Sequence, residues 1–157
     1  MPNIELDKTD LKILAALQKN GRLTNVELAE TVALSPSPCL RRLKQLEESG
    51  VIRQYVALLE PGRIGLGLQA FVRVQLKSHD APHIEAFARQ VNLWPEVMAC
   101  HALTGDMDYL LHVVVRNLDH FSRFLLDKLL AQAEVDDVNS SFVLRTVKRA
   151  QGLALGD

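Results

Sequence analysis

Ser37, Arg41, Lys44 and Gln45 fall on one side of a short apolar-periodic run, and Arg42 flanks them. These are the residue types that reach into DNA. Arginine can grip guanine O6 and N7 with two hydrogen bonds, glutamine can pair with adenine, and serine can bond bases or phosphates. The run starts with Ser35-Pro36-Ser37-Pro38-Cys39, two prolines at the mouth of what otherwise reads as a helix ending at Gly50. The first four N–H groups of a helix have no intrahelical partner, so Pro36 and Pro38 cost no hydrogen bond there. Ser35 is the expected N-cap and Pro36 the first helical residue. The prolines keep the helix mouth small and rigid where it would meet a groove.

Two more helices must hold this one. Asp7 reads as an N-cap, with Leu6 and Leu11 placed as a hydrophobic staple around it. Leu11, Leu14 and Leu17 continue one face with Ile13 beside them, and Asn20-Gly21 ends the helix. Thr24, followed three residues later by Glu27, is a capping box opening a second, short helix. In the third, Cys39, Leu43 and Leu46 make the core stripe. A short helix, a tight turn and a basic-faced helix form a helix-turn-helix. The competing reading is that Arg41, Arg42 and Lys44 form a solvated face paired with Glu47 and Glu48.

The 157 residues are 48% apolar and 24% charged, a globular composition. The net charge of −1, and the eight basic against eight acidic side chains of residues 1–60, argue against binding nucleic acid by bulk charge. Any DNA contact must come from a local patch. No apolar run nears the roughly eighteen residues of a membrane helix. The start, MPNIELDKTD, lacks a signal-peptide pattern, so a cytoplasmic protein is expected. Cys39 and Cys100 are in no metal-type spacing and read as free thiols.

Val51 to Tyr55 turns β-like, as a wing or connector strand, and Glu60-Pro61-Gly62 and Gly65-Leu66-Gly67 mark a boundary. Beyond it, Phe71–Lys77 alternates as a strand and Pro82 opens a helix with Ile84, Phe87, Ala88 and Val91 on one face. Val97–Leu103 and Tyr109–Val115 read as strands around a Thr104-Gly105-Asp106-Met107-Asp108 turn. Asp119 caps a helix carrying Phe121, Phe124, Leu125 and Leu129, and Val138–Val147 is a last strand. The order βαββαβ is ferredoxin-like. The expected fold is therefore α+β. A (winged) helix-turn-helix domain at 1–60 is joined by a hinge at 61–69 to a ferredoxin-like domain at 70–157. Helices cover one sheet face; the other requires a partner, which predicts a homodimer. His101 and His112 would sit opposite each other if residues 105–108 form a four-residue loop, but no third metal ligand is evident, and no metal is expected.

The chain resembles the Lrp/AsnC family of bacterial and archaeal transcription regulators, nearest to the leucine-responsive subgroup. Residues 6–61, with SPSPC before a basic helix, and CHALTGDMDYLL at 100–111 carry the resemblance. It implies dimers joined through the C-terminal sheets, assembly into octamers, and an amino-acid effector bound near the turn at a contact between dimers. Carried over, the effector pocket takes His101, Ala102, Leu103, Thr104, Gly105, Asp106 and Asp108, with Leu118, Ser140 and Ser141 as further members. Asp106 or Asp108 could hold the ligand ammonium. Turn N–H groups and the hydroxyls of Thr104, Ser140 or Ser141 could hold its carboxylate. Ala102, Leu103, Met107 and Leu118 would favour an apolar effector, leucine or methionine. Against this stands a plain turn-forming role for Asp106 and Asp108. The expected DNA face is Ser35, Ser37, Pro38, Arg41, Arg42, Lys44 and Gln45. The expected partners are double-stranded DNA, further copies of the chain and a small amino acid, with no other cofactor. Two alternatives are an effector-independent architectural regulator and an enzyme like the sirohaem decarboxylases, whose layout is similar. The intact basic face opposes the second.

Overall fold

The computed structural model describes residues 5–149 and 152–155; the outermost ends of both expected domains lie outside them. The chain forms two compact units, one of residues up to Leu58 together with the segment from Lys148, the other Leu59–Val147. The last residues therefore join the first unit, where the sequence reading put them with the second. Leu155 packs on its apolar cluster. Gln18 holds the Leu153 backbone at both ends, accepting its N–H at 2.6 Å and donating to its carbonyl at 3.1 Å.

In the first unit, α1 (Lys8–Lys19), α2 (Asn25–Thr31) and α3 (Pro36–Glu48) close around Ile13, Leu28, Cys39 and Leu46. The local grammar is realised. Asp7 accepts the Thr9 and Asp10 N–H groups, while Asp10 reaches back to the Asp7 N–H. Thr24 and Glu27 form the second box. Ser35 is the N-cap of α3 by backbone position, without a side-chain cap bond. Ile13, expected beside the α1 stripe, is its most buried member.

One expectation fails here. Residues 51–60 belong to no strand. A strand needs a hydrogen-bonded neighbour, and among the described residues no strand pairs with this segment. Val56, Leu58 and Leu59 stand 63%, 85% and 66% exposed.

The second unit opens with a 3₁₀ turn (Pro61–Ile64). It continues as β1 (Leu68–Leu76), α4 (Ala81–Val91), β2 (Val97–Ala102), β3 (Tyr109–Val115), α5 (Leu118–Arg123) with a π-helical turn (Phe124–Leu129), and β4 (Val135–Phe142). The sheet is antiparallel in the order β2-β3-β1-β4, the ferredoxin-like arrangement. Strand alternation sends Val72, Val74, Leu111, Val113 and Val115 to the helices, where Phe87, Phe121, Phe124 and Leu129 meet them. Several element ends differ from expectation, β1 for one running Leu68–Leu76 rather than 71–77. Asn117, not Asp119, caps α5, accepting the His120 N–H. The last strand is Val135–Phe142 rather than 138–147, because its ladder to β1 runs from Leu76↔Val135 to Ala70↔Phe142.

Candidate DNA-reading face and ligand-binding turn

Helix α3 is aimed by its neighbours. Ala33 takes a left-handed conformation (φ 57°) between α2 and α3, and Asn25 Nδ2 donates to the Pro36 carbonyl at 2.8 Å. Each helical residue turns the chain by about 100°. With Cys39, Leu43 and Leu46 inward, Ser37, Arg41 and Lys44 share a fan of roughly 60° on the opposite side, and Gln45 lies beside it. Ser35, Ser37, Pro38, Arg41, Lys44 and Gln45 are all exposed. Arg41, Lys44 and Gln45 have no side-chain partner among the described residues. The competing pairing with Glu47 is not formed, since Glu47 instead accepts from Tyr55 Oη at 2.9 Å. Burial first, and then this carboxylate, push the Tyr55 hydroxyl up to about 12.

Arg42 does not belong to this open face. Its Nη1 donates to Asp7 Oδ2 at 2.7 Å and Asp10 Oδ1 at 2.8 Å. These bonds, that to Asp10 foremost, raise its own pKa. Asp7 lies below the usual carboxylate range, chiefly through the Asp10 N–H. Arg42 thus ties α3 to the first turn of α1. Sequence reasoning also passed over Leu40, 41% exposed at the margin of the outer face. Its helical position, roughly 60° from Ser37, was the available signal. An apolar side chain there suits a thymine methyl.

In the second unit, β2 and β3 end in the turn at 103–108. Ala102 opposes Tyr109 and the Leu103 N–H donates to the Asp108 carbonyl at 2.8 Å. Gly105 sits at φ +118°, where side chains are rarely tolerated, and nothing lies within 4 Å of where its Cβ would stand. His101, Ala102, Leu103, Thr104, Gly105 and Asp106 are exposed. The Asp106 carboxylate has no partner among the described residues.

Asp108 is different. Its Oδ2 accepts the Leu76 N–H at 2.7 Å and its Oδ1 meets His79 Nε2 at 2.8 Å. Both oxygens are used inside the fold, so Asp108 pins the hairpin to the end of β1 and is not a free anion. Of the two aspartates proposed from sequence, Asp106 is the one whose carboxylate has no partner among the described residues.

Leu118, Ser140 and Ser141 are not brought to the turn within one chain. Leu118 follows β3, at the far end of its seven residues. Ser140 and Ser141 oppose Val72 and Phe71 on β4, and β1 and β3 lie between β4 and β2. Nor do the two histidines face each other. The closed turn is 104–107, one residue earlier than expected, so His101 opposes Leu110 and His112 opposes Ala99. His112 instead stacks on Phe71 with centroids 4.9 Å apart, and burial lowers its pKa. Among the described residues no three His, Cys, Asp or Glu gather as a metal site.

Comparison with known proteins agrees with this geometry. Residues 6–53 match the winged helix-turn-helix DNA-binding family and residues 69–153 the Lrp/AsnC ligand binding domain. A leucine-responsive regulatory protein of Rhizobium meliloti (strain 1021) is 46% identical over 147 residues, covering 94% of each chain. A transcriptional regulator from Neisseria meningitidis, solved as a complex with L-Met, superimposes with a TM-score of 0.92 at 57% identity. The match covers 96% of this chain and 97% of that one. An AsnC family regulator from Agrobacterium tumefaciens gives 0.90 at 37% identity, covering 95% and 97%. With a helix-turn-helix whose outer face is free and a βαββαβ unit of matching topology, the chain belongs to the Lrp/AsnC family of DNA-binding transcription regulators.

Proposed function

We propose that this regulator senses an apolar amino acid, leucine- or methionine-like, at the Thr104–Asp106 turn. The observation that carries the reading is the turn itself. The Asp106 carboxylate, unpaired among the described residues, follows Gly105, which presents bare backbone, and the exposed Thr104 precedes it in the same turn. An α-amino acid needs an anion for its ammonium and N–H or hydroxyl donors for its carboxylate, and Leu103, 42% exposed, offers apolar surface nearby. The L-Met complex of the Neisseria relative supports the same ligand class. His101 and Ala102 border this site, Asp108 holds it in place, and Leu118, Ser140 and Ser141 lie outside it within one chain.

The regulator acts by binding rather than by catalysis, as a cytoplasmic homodimer that assembles further to an octamer. Two surfaces support association. The sheet face away from the helices carries Phe71, 42% exposed, and residues 56–59 are apolar and unpaired. Recognition helices of a dimer, presenting Ser35, Ser37, Pro38, Arg41, Lys44 and Gln45, read two half-sites. Ligand that favours one assembly changes how those helices are spaced. Such coupling is typically about 1–3 kcal/mol. The test is light scattering and duplex binding with and without L-methionine and L-leucine. A monomer refutes the assembly. Cooperative DNA binding indifferent to every amino acid favours an architectural regulator.

A further inference from the structure

A second cavity, of about 510 Å³, lies at the other end of β3 from the hairpin turn. The seven residues of β3 put the two sites about 20 Å apart. Arg116 and Asn117 enter it from the chain leaving β3, Arg123 from α5, and Asp127 and Lys128 from the π-helical turn. That turn is closed by the Leu130 N–H donating to the Leu125 carbonyl at 2.8 Å, a register that is rare and recurs at functional sites.

The charges of this cavity do not cancel. Glu96, 8% exposed, takes Lys128 Nζ at 2.7 Å and His120 Nε2 at 3.4 Å on one oxygen, so Lys128 is neutralised. The second oxygen, Oε2, is buried and accepts no hydrogen bond among the described residues; such an atom calls for a donor from water or ligand. The side chains of Arg116, Arg123 and Asp127 have no hydrogen bond or ion pair among the described residues. The cavity thus offers two free guanidinium groups and one free carboxylate, a net charge of +1.

We propose that this cavity is a second small-molecule site, for an acidic α-amino acid. Such a ligand carries two carboxylates for Arg116 and Arg123, whose planar forks match a carboxylate with paired hydrogen bonds. Its single ammonium goes to Asp127. Its net charge of −1 complements the site. A phosphate would face Asp127 without a positive group to offer it. An apolar amino acid finds little to bury against, because the one apolar lining side chain, Phe124, is already 1% exposed. The site is independent of the proposed effector at the hairpin, and the regulator would then read two classes of amino acid at opposite ends of one strand.

The test is calorimetric titration of the full chain with L-glutamate, L-aspartate and glutarate. Saturable binding of at least one of the acidic amino acids is expected, with glutarate weaker because it lacks the ammonium. Arg123→Gln and Arg116→Gln, both at exposed positions, should each weaken binding by about tenfold or more. Asp127→Asn should bring L-glutamate down to the level of glutarate. Asp106→Asn, at the hairpin, should leave L-glutamate binding intact. No saturable heat with either acidic amino acid overturns the proposal. So does affinity unchanged in both arginine variants, or loss of L-glutamate binding in Asp106→Asn.

Discussion

Arg41 and Arg42 are neighbours in sequence with different surroundings, and alanine at each tests the duties proposed for them. Arg41 is exposed on the outer face of α3, without a side-chain partner among the described residues, so truncation should move stability by no more than about 0.5 kcal/mol. If Arg41 grips a base, each docked helix loses about 1–3 kcal/mol of binding. That is a rise of roughly 5-fold to 150-fold in Kd per helix, with both helices of the proposed dimer affected. Arg42→Ala should do the reverse. It frees Asp7 and Asp10 from their shared guanidinium at the cap of α1, lowering the unfolding midpoint while DNA affinity of the folded protein changes less. The assay is fluorescence polarisation with a duplex selected from a random pool, at two salt concentrations, beside thermal unfolding. If Arg41 touches only phosphate, its loss flattens the salt dependence by about 0.9 per contact and is uniform across sequences. Unchanged binding in Arg41→Ala on every duplex would refute the recognition face. A loss in Arg42→Ala as deep as in Arg41→Ala, at unchanged stability, would refute the assigned division of labour.

Three further perturbations probe the second unit. Asp108→Ala strips the Leu76 N–H of its partner. It should cost about 1–3 kcal/mol in denaturant unfolding and loosen the hairpin, so ligand response is lost through disorder rather than through a missing charge; full stability with response abolished would restore Asp108 as a direct ligand. Gly105→Val forces a branched side chain to φ +118° and should destabilise by about 1–2 kcal/mol or more, measurable as a lower midpoint with DNA binding retained. His112 has its pKa lowered from 6.5 by burial, so the unfolded chain takes up a proton more readily than the folded one. Its contribution to stability is full above pH 6.5 and falls as pH drops below it. His112→Phe should therefore make urea midpoints less sensitive between neutral and mildly acidic pH, and an unchanged slope would remove His112 from the account.

Local grammar was legible in sequence and long-range pairing was not. The caps at Asp7 and Thr24 act within three residues of themselves, and the alternation of Phe71–Lys77 and Tyr109–Val115 marks strands whichever neighbour they take. The partners of Arg42 lie 35 and 32 residues away, and Asp108 meets a backbone N–H 32 residues away. No periodicity reports such contacts, so the ligand-facing roles expected of both residues were read without the intramolecular bonds that each makes. The histidine pair failed for a subtler reason. Moving the turn by one residue shifts the register by two, and His112 faces Ala99. The strand expected at Val51–Tyr55 has the right composition and no partner strand among the described residues. The second cavity escaped notice because Glu96, Arg116, Arg123 and Asp127 are scattered in sequence and gather only when β2, β3 and α5 pack.

The most direct test of the sensing account is thermal unfolding of the purified protein against all twenty amino acids, in wild type and Asp106→Asn. A ligand that binds only the folded state adds about 2.7 kcal/mol at a hundred times its Kd, enough to displace the midpoint visibly. The account predicts a shift with leucine, methionine or a close apolar relative, lost in Asp106→Asn. No shift with any apolar amino acid, or a shift that survives in Asp106→Asn, would contradict it.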